Sequence, residues 1–172
     1  WDPSNQKIVS ETQKIMGEIV ISKHPIKRPS KQHILTIWRK LILEKGIAAI
    51  PFDDAALQLI NRVRMADNLS DSTMFADFSD AGLLHSIESW LMPYLEDTLT
   101  WQQFTQSDFL QQLLSELDYR QQQNLNKNFP KKLAVPSGRD VQLIYYSENK
   151  VLLSVRIQEL YGLQSHPTVS QQ

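Results

Sequence analysis

The spacing of apolar residues changes at Pro130, and no other feature restricts the fold of this chain as much. Between residues 30 and 130 they recur every three or four positions, as in helices with one buried stripe. From Lys131 onward they alternate, as in half-buried strands. The chain is therefore expected to be α+β, with a β-segment and linker over 1–29, a helical region of four to five helices over 30–130, and a β-hairpin followed by a short helix over 131–172.

Local signals set the boundaries. Residues 6–22 are rich in β-branched side chains, with Gly17 the one glycine, and read as an extended segment or irregular hairpin. Pro25 and Pro29 then forbid helix. In SKQHILTIWRKLILEKG (30–46), Ser30 is a natural N-cap, Ile34, Leu35, Ile37, Trp38, Leu41 and Ile42 form one stripe, and Lys45 and Gly46 suit a C-terminus. Asp53 is expected to cap a second helix with Leu57, Ile60 and Val63 inward and Arg62 and Arg64 outward. Ser79 starts a third, with Leu83, Leu84, Ile87, Trp90 and Leu91 on one side until Pro93 disturbs it. A last helix carries Leu110, Leu113, Leu114 and Leu117, with Gln121–Gln123 read as exposed surface.

Beyond Pro130, KKLAV and DVQLIYY flank the turn PSGR, in which Pro136 fixes φ and Gly138 can take a positive φ. SENK is a second turn signal. SVRIQELYG reads as a helix capped by Ser154 and closed by Gly162, with Ile157, Leu160 and Tyr161 inward. That places Arg156 at the edge of the stripe, with Glu159 three residues on as a partner worth only ~0.2–0.5 kcal/mol when exposed.

Charge is segregated. The net charge is −1, yet residues 1–64 carry +5, residues 65–118 carry −10 with no Lys or Arg, and residues 119–172 carry +4. The favoured reading is that these blocks attract one another on folding. The alternatives are a basic face left for an anionic polymer, or an acidic 65–118 segment that docks a basic protein.

The chemistry of a reaction centre is missing from the pattern. The glycines, at 17, 46, 82, 138 and 162, lie too far apart to build a phosphate-cradling loop. His24, His33, His85 and His166 have no ligand spacing, so no metal site is expected. Ser137 belongs to a turn and lacks the glycines of a nucleophile elbow. Asp67, Asp71, Asp77, Asp80, Glu96 and Asp97 fit loops and helix starts better than acid–base pairs. No catalytic residue is assigned. With no cysteine, disulfides are excluded and a reducing, cytoplasmic setting is favoured. No apolar run reaches the roughly 20 residues of a bilayer span, so no membrane partner is expected. A chain that opens on Trp1 and closes on Ser-Gln-Gln is read as a piece of something longer.

The basic C-terminal features point to nucleic acid. Lys127, Lys131, Lys132, Arg139 and Lys150 cluster about the hairpin, with Tyr145 and Tyr146 on its second strand. Lysines suit phosphates and an exposed ring suits a base; alternation requires one of the two tyrosines to face away from the core. The bland counterpart is a solvated hairpin whose lysines guard against aggregation.

The same region carries a family resemblance. VPSGRDVQLIYYSENKVLLSVRIQELYGLQSHPTV (135–169) resembles the C-terminal region of HrpB-type ATP-dependent helicases of the DEAH-like superfamily 2 group. Matching positions are Pro136, Ser137, Gly138, Tyr145 or Tyr146, the run Val155 to Leu160, Gly162 and Pro167. DFSDAGLLHSIESWLMPYL (77–95), EKGIAAIPFDDAALQLINRV (44–63, with Phe52 where Trp is usual) and GEIVISKHPI (17–26) are similar to upstream family segments, while the first thirty residues are less arginine-rich. The resemblance implies an accessory C-terminal region that packs on the protein's own RecA-like motor lobes and contacts single-stranded RNA or DNA. It places ATP and Mg in the motor lobes upstream and no cofactor here, and makes Pro136, Gly138, Arg156, Glu159 and Gly162 structural signature residues.

Overall fold

A computed structural model describes residues 1–16, 19–26, 29–69 and 74–162. Gly17, Asp71, His166 and Pro167, singled out above, lie outside the described residues. The fold is α+β: seven α-helices and two small antiparallel sheets among the described residues, with a β-segment first and a β-hairpin and short helix last. Contacts divide the chain into two compact units, one of residues 1–51 with 84–108 and one of 52–83 with 109–172. Residues 30–130 are thus shared between them. No helix among the described residues is long and apolar enough to cross a membrane.

In the first unit β1 (Glu11–Met16) and β2 (Ile19–Pro25) form a hairpin whose register shifts between Lys14 and Ile15. α1 (Lys31–Lys45) starts where Ser30 accepts a hydrogen bond from the His33 amide and stops at Gly46, whose φ of +76° suits a residue without Cβ. Its inward face centres on Trp38, fully buried and stacked on Phe104 at 4.8 Å, with the indole Nε1 donating to the Thr98 carbonyl at 2.8 Å. The indole thus keeps its one polar group satisfied while burying its apolar bulk. Two ion pairs, Lys31–Glu96 and Arg39–Glu88, join the basic first block to the acidic middle one. This is the mutual attraction the charge pattern suggested.

The expected third helix divides into α3 (Asp80–His85), α4 (Ile87–Trp90) and a 3-10 turn at Met92–Tyr94 that accommodates Pro93. The last divides into α5 (Trp101–Thr105), α6 (Phe109–Leu114) and α7 (Tyr119–Asn128). Capping boxes at Thr100/Gln103 and Asp118/Gln121 start α5 and α7. Gln121 and Gln122 are half-buried, not exposed surface: the Gln121 amide donates to the Met74 carbonyl, and that of Gln122 to the carbonyls of Leu114 and Leu117.

In the second unit α2 (Asp54–Leu69) is capped by Asp53, which accepts from the Ala56 amide at 2.8 Å. It buries Leu59, Ile60 and Val63. Two expectations for this helix reverse. Leu57 is exposed, because it lies off that stripe, and Arg62 is 2% exposed rather than outward. β3 (Lys132–Ala134), β4 (Asp140–Tyr146) and β5 (Lys150–Leu153) form a three-stranded antiparallel sheet in that order.

The C-terminal helix also differs from expectation. Residues 154–156 carry no regular structure, and only a four-residue 3-10 turn, Ile157–Leu160, follows. Gly162, at φ +97°, closes it. So short a turn has no stripe to bury: Ile157 and Tyr161 are 74% and 73% exposed, and only Leu160 is half-buried.

Candidate nucleic-acid interface

The turn between β3 and β4 is built as its residues dictate. The Gly138 amide donates to the Val135 carbonyl at 2.8 Å, with Pro136 and Ser137 at the corners, and Gly138 then takes φ +83°. The Val135 amide donates to the Arg139 carbonyl at 3.0 Å and closes a three-residue hairpin loop. Asn149, at φ +56°, ends the second turn, and its side-chain oxygen accepts from Asn68 of α2 at 3.1 Å.

Alternation along β4 assigns the two faces. Val141, Leu143 and Tyr145 are buried; Asp140, Gln142 and Tyr146 are exposed and Ile144 half-buried. Tyr145 is 1% exposed, and its hydroxyl donates to the Pro130 carbonyl at 2.7 Å. Burial pushes its phenol up to about 12, the neighbouring Arg62 guanidinium working in the opposite sense. Its ring is closed to any base, so Tyr145 leaves the list of contact residues. α2 holds this strand by its backbone: Gln58 accepts from the Tyr145 amide at 2.8 Å and donates to its carbonyl at 3.1 Å, and Asn61 donates to the same carbonyl at 2.9 Å.

Beneath lies Arg62, which the sequence pattern misplaces. Its Nε and Nη2 donate to the Phe129 carbonyl at 2.9 and 2.7 Å, and Nη2 also to the Leu125 carbonyl and Asn126 Oδ1. The cation thus closes the C-terminal end of α7, where the helix dipole favours positive charge. Burial holds its guanidinium below the usual arginine value. A charged residue in an apolar stripe was the one available signal.

The outer face carries four cross-strand pairs: Ala134 with Asp140, Lys132 with Gln142, Ile144 with Leu152, and Tyr146 with Lys150. Tyr146 and Leu152 are 47% and 45% exposed, and Lys132 and Lys150 are exposed as well. Directly opposed side chains have Cβ atoms about 4.5–5.5 Å apart, so Tyr146 and Lys150 leave the sheet side by side. Lys150 pairs with Glu148 at 2.6 Å in solvent, a bond weak enough to exchange. Lys131 and Lys132 make no ion pair among the described residues.

Four of the five signature residues meet at one corner. Arg139, next to Gly138, pairs with Glu159 at 3.0 Å, and Gly162 lies beside Pro136. Glu159 therefore pairs across the hairpin and not with Arg156. The Arg156 side chain itself is exposed, with no hydrogen bond or ion pair among the described residues; only its backbone carbonyl is engaged, accepting from the Glu159 amide at 2.9 Å. The described residues contain no cluster of three or more His, Asp or Glu able to hold a metal.

Three comparisons bear on this architecture. Residues 90–172 match the HrpB family model described as ATP-dependent helicase C-terminal. The ATP-dependent RNA helicase HrpB of Escherichia coli (strain K12) is 26% identical over 171 residues, 99% of this chain and 21% of that protein. The crystal structure of the Escherichia coli DEAH/RHA helicase HrpB superposes with a TM-score of 0.76 at 24% identity, over 95% of this chain and 22% of that one. A second, of the E. coli DExH-box NTPase HrpB, gives 0.75 at 25% identity, over 97% and 22%. The chain spans about a fifth of the length of these relatives. Sequence, family pattern and fold thus point to the same relatives: residues 90–172 are similar to the HrpB C-terminal family, and the chain as a whole is similar to about a fifth of the E. coli helicase HrpB.

Proposed function

We propose that this chain is an accessory region of a cytoplasmic ATP-dependent helicase, that it packs on the RecA-like motor lobes, and that the outer face of its three-stranded sheet contacts single-stranded nucleic acid. ATP and Mg belong to the motor lobes in this reading. The observation that carries it is the exposed Tyr146 directly opposite Lys150, with Leu152 and Ile144 beside it and Lys132 across the sheet. A ring to stack on a base and ammoniums for phosphates are what sequence-tolerant single-strand binding requires. The name of the E. coli relative, an RNA helicase, supports RNA as the first polymer to test.

The rival reading, an acidic docking segment, loses support from the structure. Glu88 and Glu96 pair with Arg39 and Lys31, Asp80 with Arg64, and Asp118 caps α7. These carboxylates already have partners within the chain, although Glu88, Glu96 and Asp80 stay solvent-exposed.

Fluorescently labelled single-stranded RNA, titrated with the chain at rising salt, tests the proposal. Binding should weaken with salt, and Tyr146→Ala should remove about 1–3 kcal/mol per stacked base. Absence of binding at low salt by a folded chain overturns it.

A further inference from the structure

A cleft of about 250 Å³ opens between α2, α6 and the β3–β4 side of the sheet. Its polar lining is Asp54, Gln58, Arg62, Lys131 and Gln142, and leucines supply most of the rest. Two cations therefore face one carboxylate. Gln58 is committed to the Tyr145 backbone at both ends of its amide. Gln142 is exposed and makes no side-chain hydrogen bond among the described residues.

Arg62 is the unusual member. A buried charge is ordinarily matched by an opposite one, yet all four of its hydrogen bonds go to uncharged oxygens, and Nη1 donates to no protein atom among the described residues. Lys131 adds a second unpaired cation to the same walls. Gln142 links the cleft to the outer face, because it lies directly opposite Lys132 there.

We infer that this cleft is a phosphate subsite, taking one backbone phosphate of the strand whose bases stack on Tyr146. Lys131 supplies a mobile ammonium, the Gln142 amide a hydrogen bond, and Arg62 a fixed positive wall in a partly desolvated setting, where charge-assisted contacts are strongest. The inference rests on the nucleic-acid reading above and adds to it a cavity and a buried arginine.

The test uses the chain with inorganic phosphate, against chloride at matched ionic strength, followed by NMR at the Arg62 Nε–H and at the Lys131 and Gln142 amides. Saturable shifts at all three are expected. Gln142→Glu, an exposed change that leaves the fold intact by melting temperature, should abolish them and weaken binding of a short oligouridylate about tenfold. Lys131→Ala should lower the slope of log affinity against log salt by about 0.7. Unsaturated shifts spread over surface lysines mean an adventitious ion only and overturn the subsite, as does a Gln142→Glu variant that still binds phosphate. If Tyr146→Ala abolishes RNA binding while Gln142→Glu leaves it unchanged, the sheet reading stands and the subsite falls. Saturable phosphate binding without any RNA binding overturns the nucleic-acid reading and keeps the cleft as an anion site.

Discussion

Tyr145 makes the stability of this chain fall in alkali in a way that one substitution removes. Its phenol is buried, hydrogen-bonded to the Pro130 carbonyl, and raised from 10.0 to about 12. Between those two values the unfolded chain releases the proton while the folded chain keeps it. Stability is therefore fully present below pH 10 and drains away as pH rises toward the folded value. For a two-unit difference the loss is about 1.3 kcal/mol at pH 11 and approaches about 2.7 kcal/mol beyond both values. Tyr145→Phe removes the titrating group and, at neutral pH, costs about 1–2 kcal/mol for the hydrogen bond and the carbonyl left without it. Wild type is thus the more stable protein at pH 8, and the gap closes to near zero by pH 11. Urea unfolding followed by circular dichroism, at steps from pH 8 to pH 11, measures both curves. The lysines titrate in both proteins and cancel in the difference. Parallel curves, with the gap unchanged at pH 11, would refute the reasoning.

Two further outcomes are expected. A Cβ at Gly82 would overlap the Asp77 side chain and backbone, so Gly82→Ala should cost about 1–3 kcal/mol in thermal unfolding. Arg156→Met should shift stability by less than about 0.5 kcal/mol, because the side chain is exposed and makes no hydrogen bond or ion pair among the described residues. A larger loss would mean contacts beyond those described.

What was readable in the residues was local. Ser30 and Gly46 bound α1 as expected, and Pro136 with Gly138 makes the turn their backbone preferences require. Alternation correctly required one tyrosine inside and one outside, but only the register of β4 decides which. Arg62 was misplaced because its partners, the carbonyls of Leu125 and Phe129, lie 63 and 67 residues away. Periodicity reports whether a face is buried and says nothing of a distant acceptor that can satisfy a charge there. Likewise, Ile157 and Tyr161 have helical spacing, yet a single 3-10 turn offers them no neighbour. Glu159 was paired with its sequence neighbour, whereas the hairpin turn brings Arg139 to it from 20 residues back.

The discontinuity of the first unit bears on how the chain is made. The indole of Trp38 finds its acceptor at Thr98, 60 residues later, and its stacking partner at Phe104 later still. At about 5–20 residues per second, a nascent chain carries α1 for roughly 3–12 s before the residues that cover its apolar face have been synthesised. Throughout that interval Ile34, Trp38, Leu41 and Ile42 form a stripe with only Trp1 and the turn at Ile47–Ala49, among the described residues, to cover it, a natural target for a ribosome-associated chaperone. A stalled or prematurely ended message that stops before Phe104 yields an aggregation-prone product, with the ring that stacks on Trp38 still untranslated.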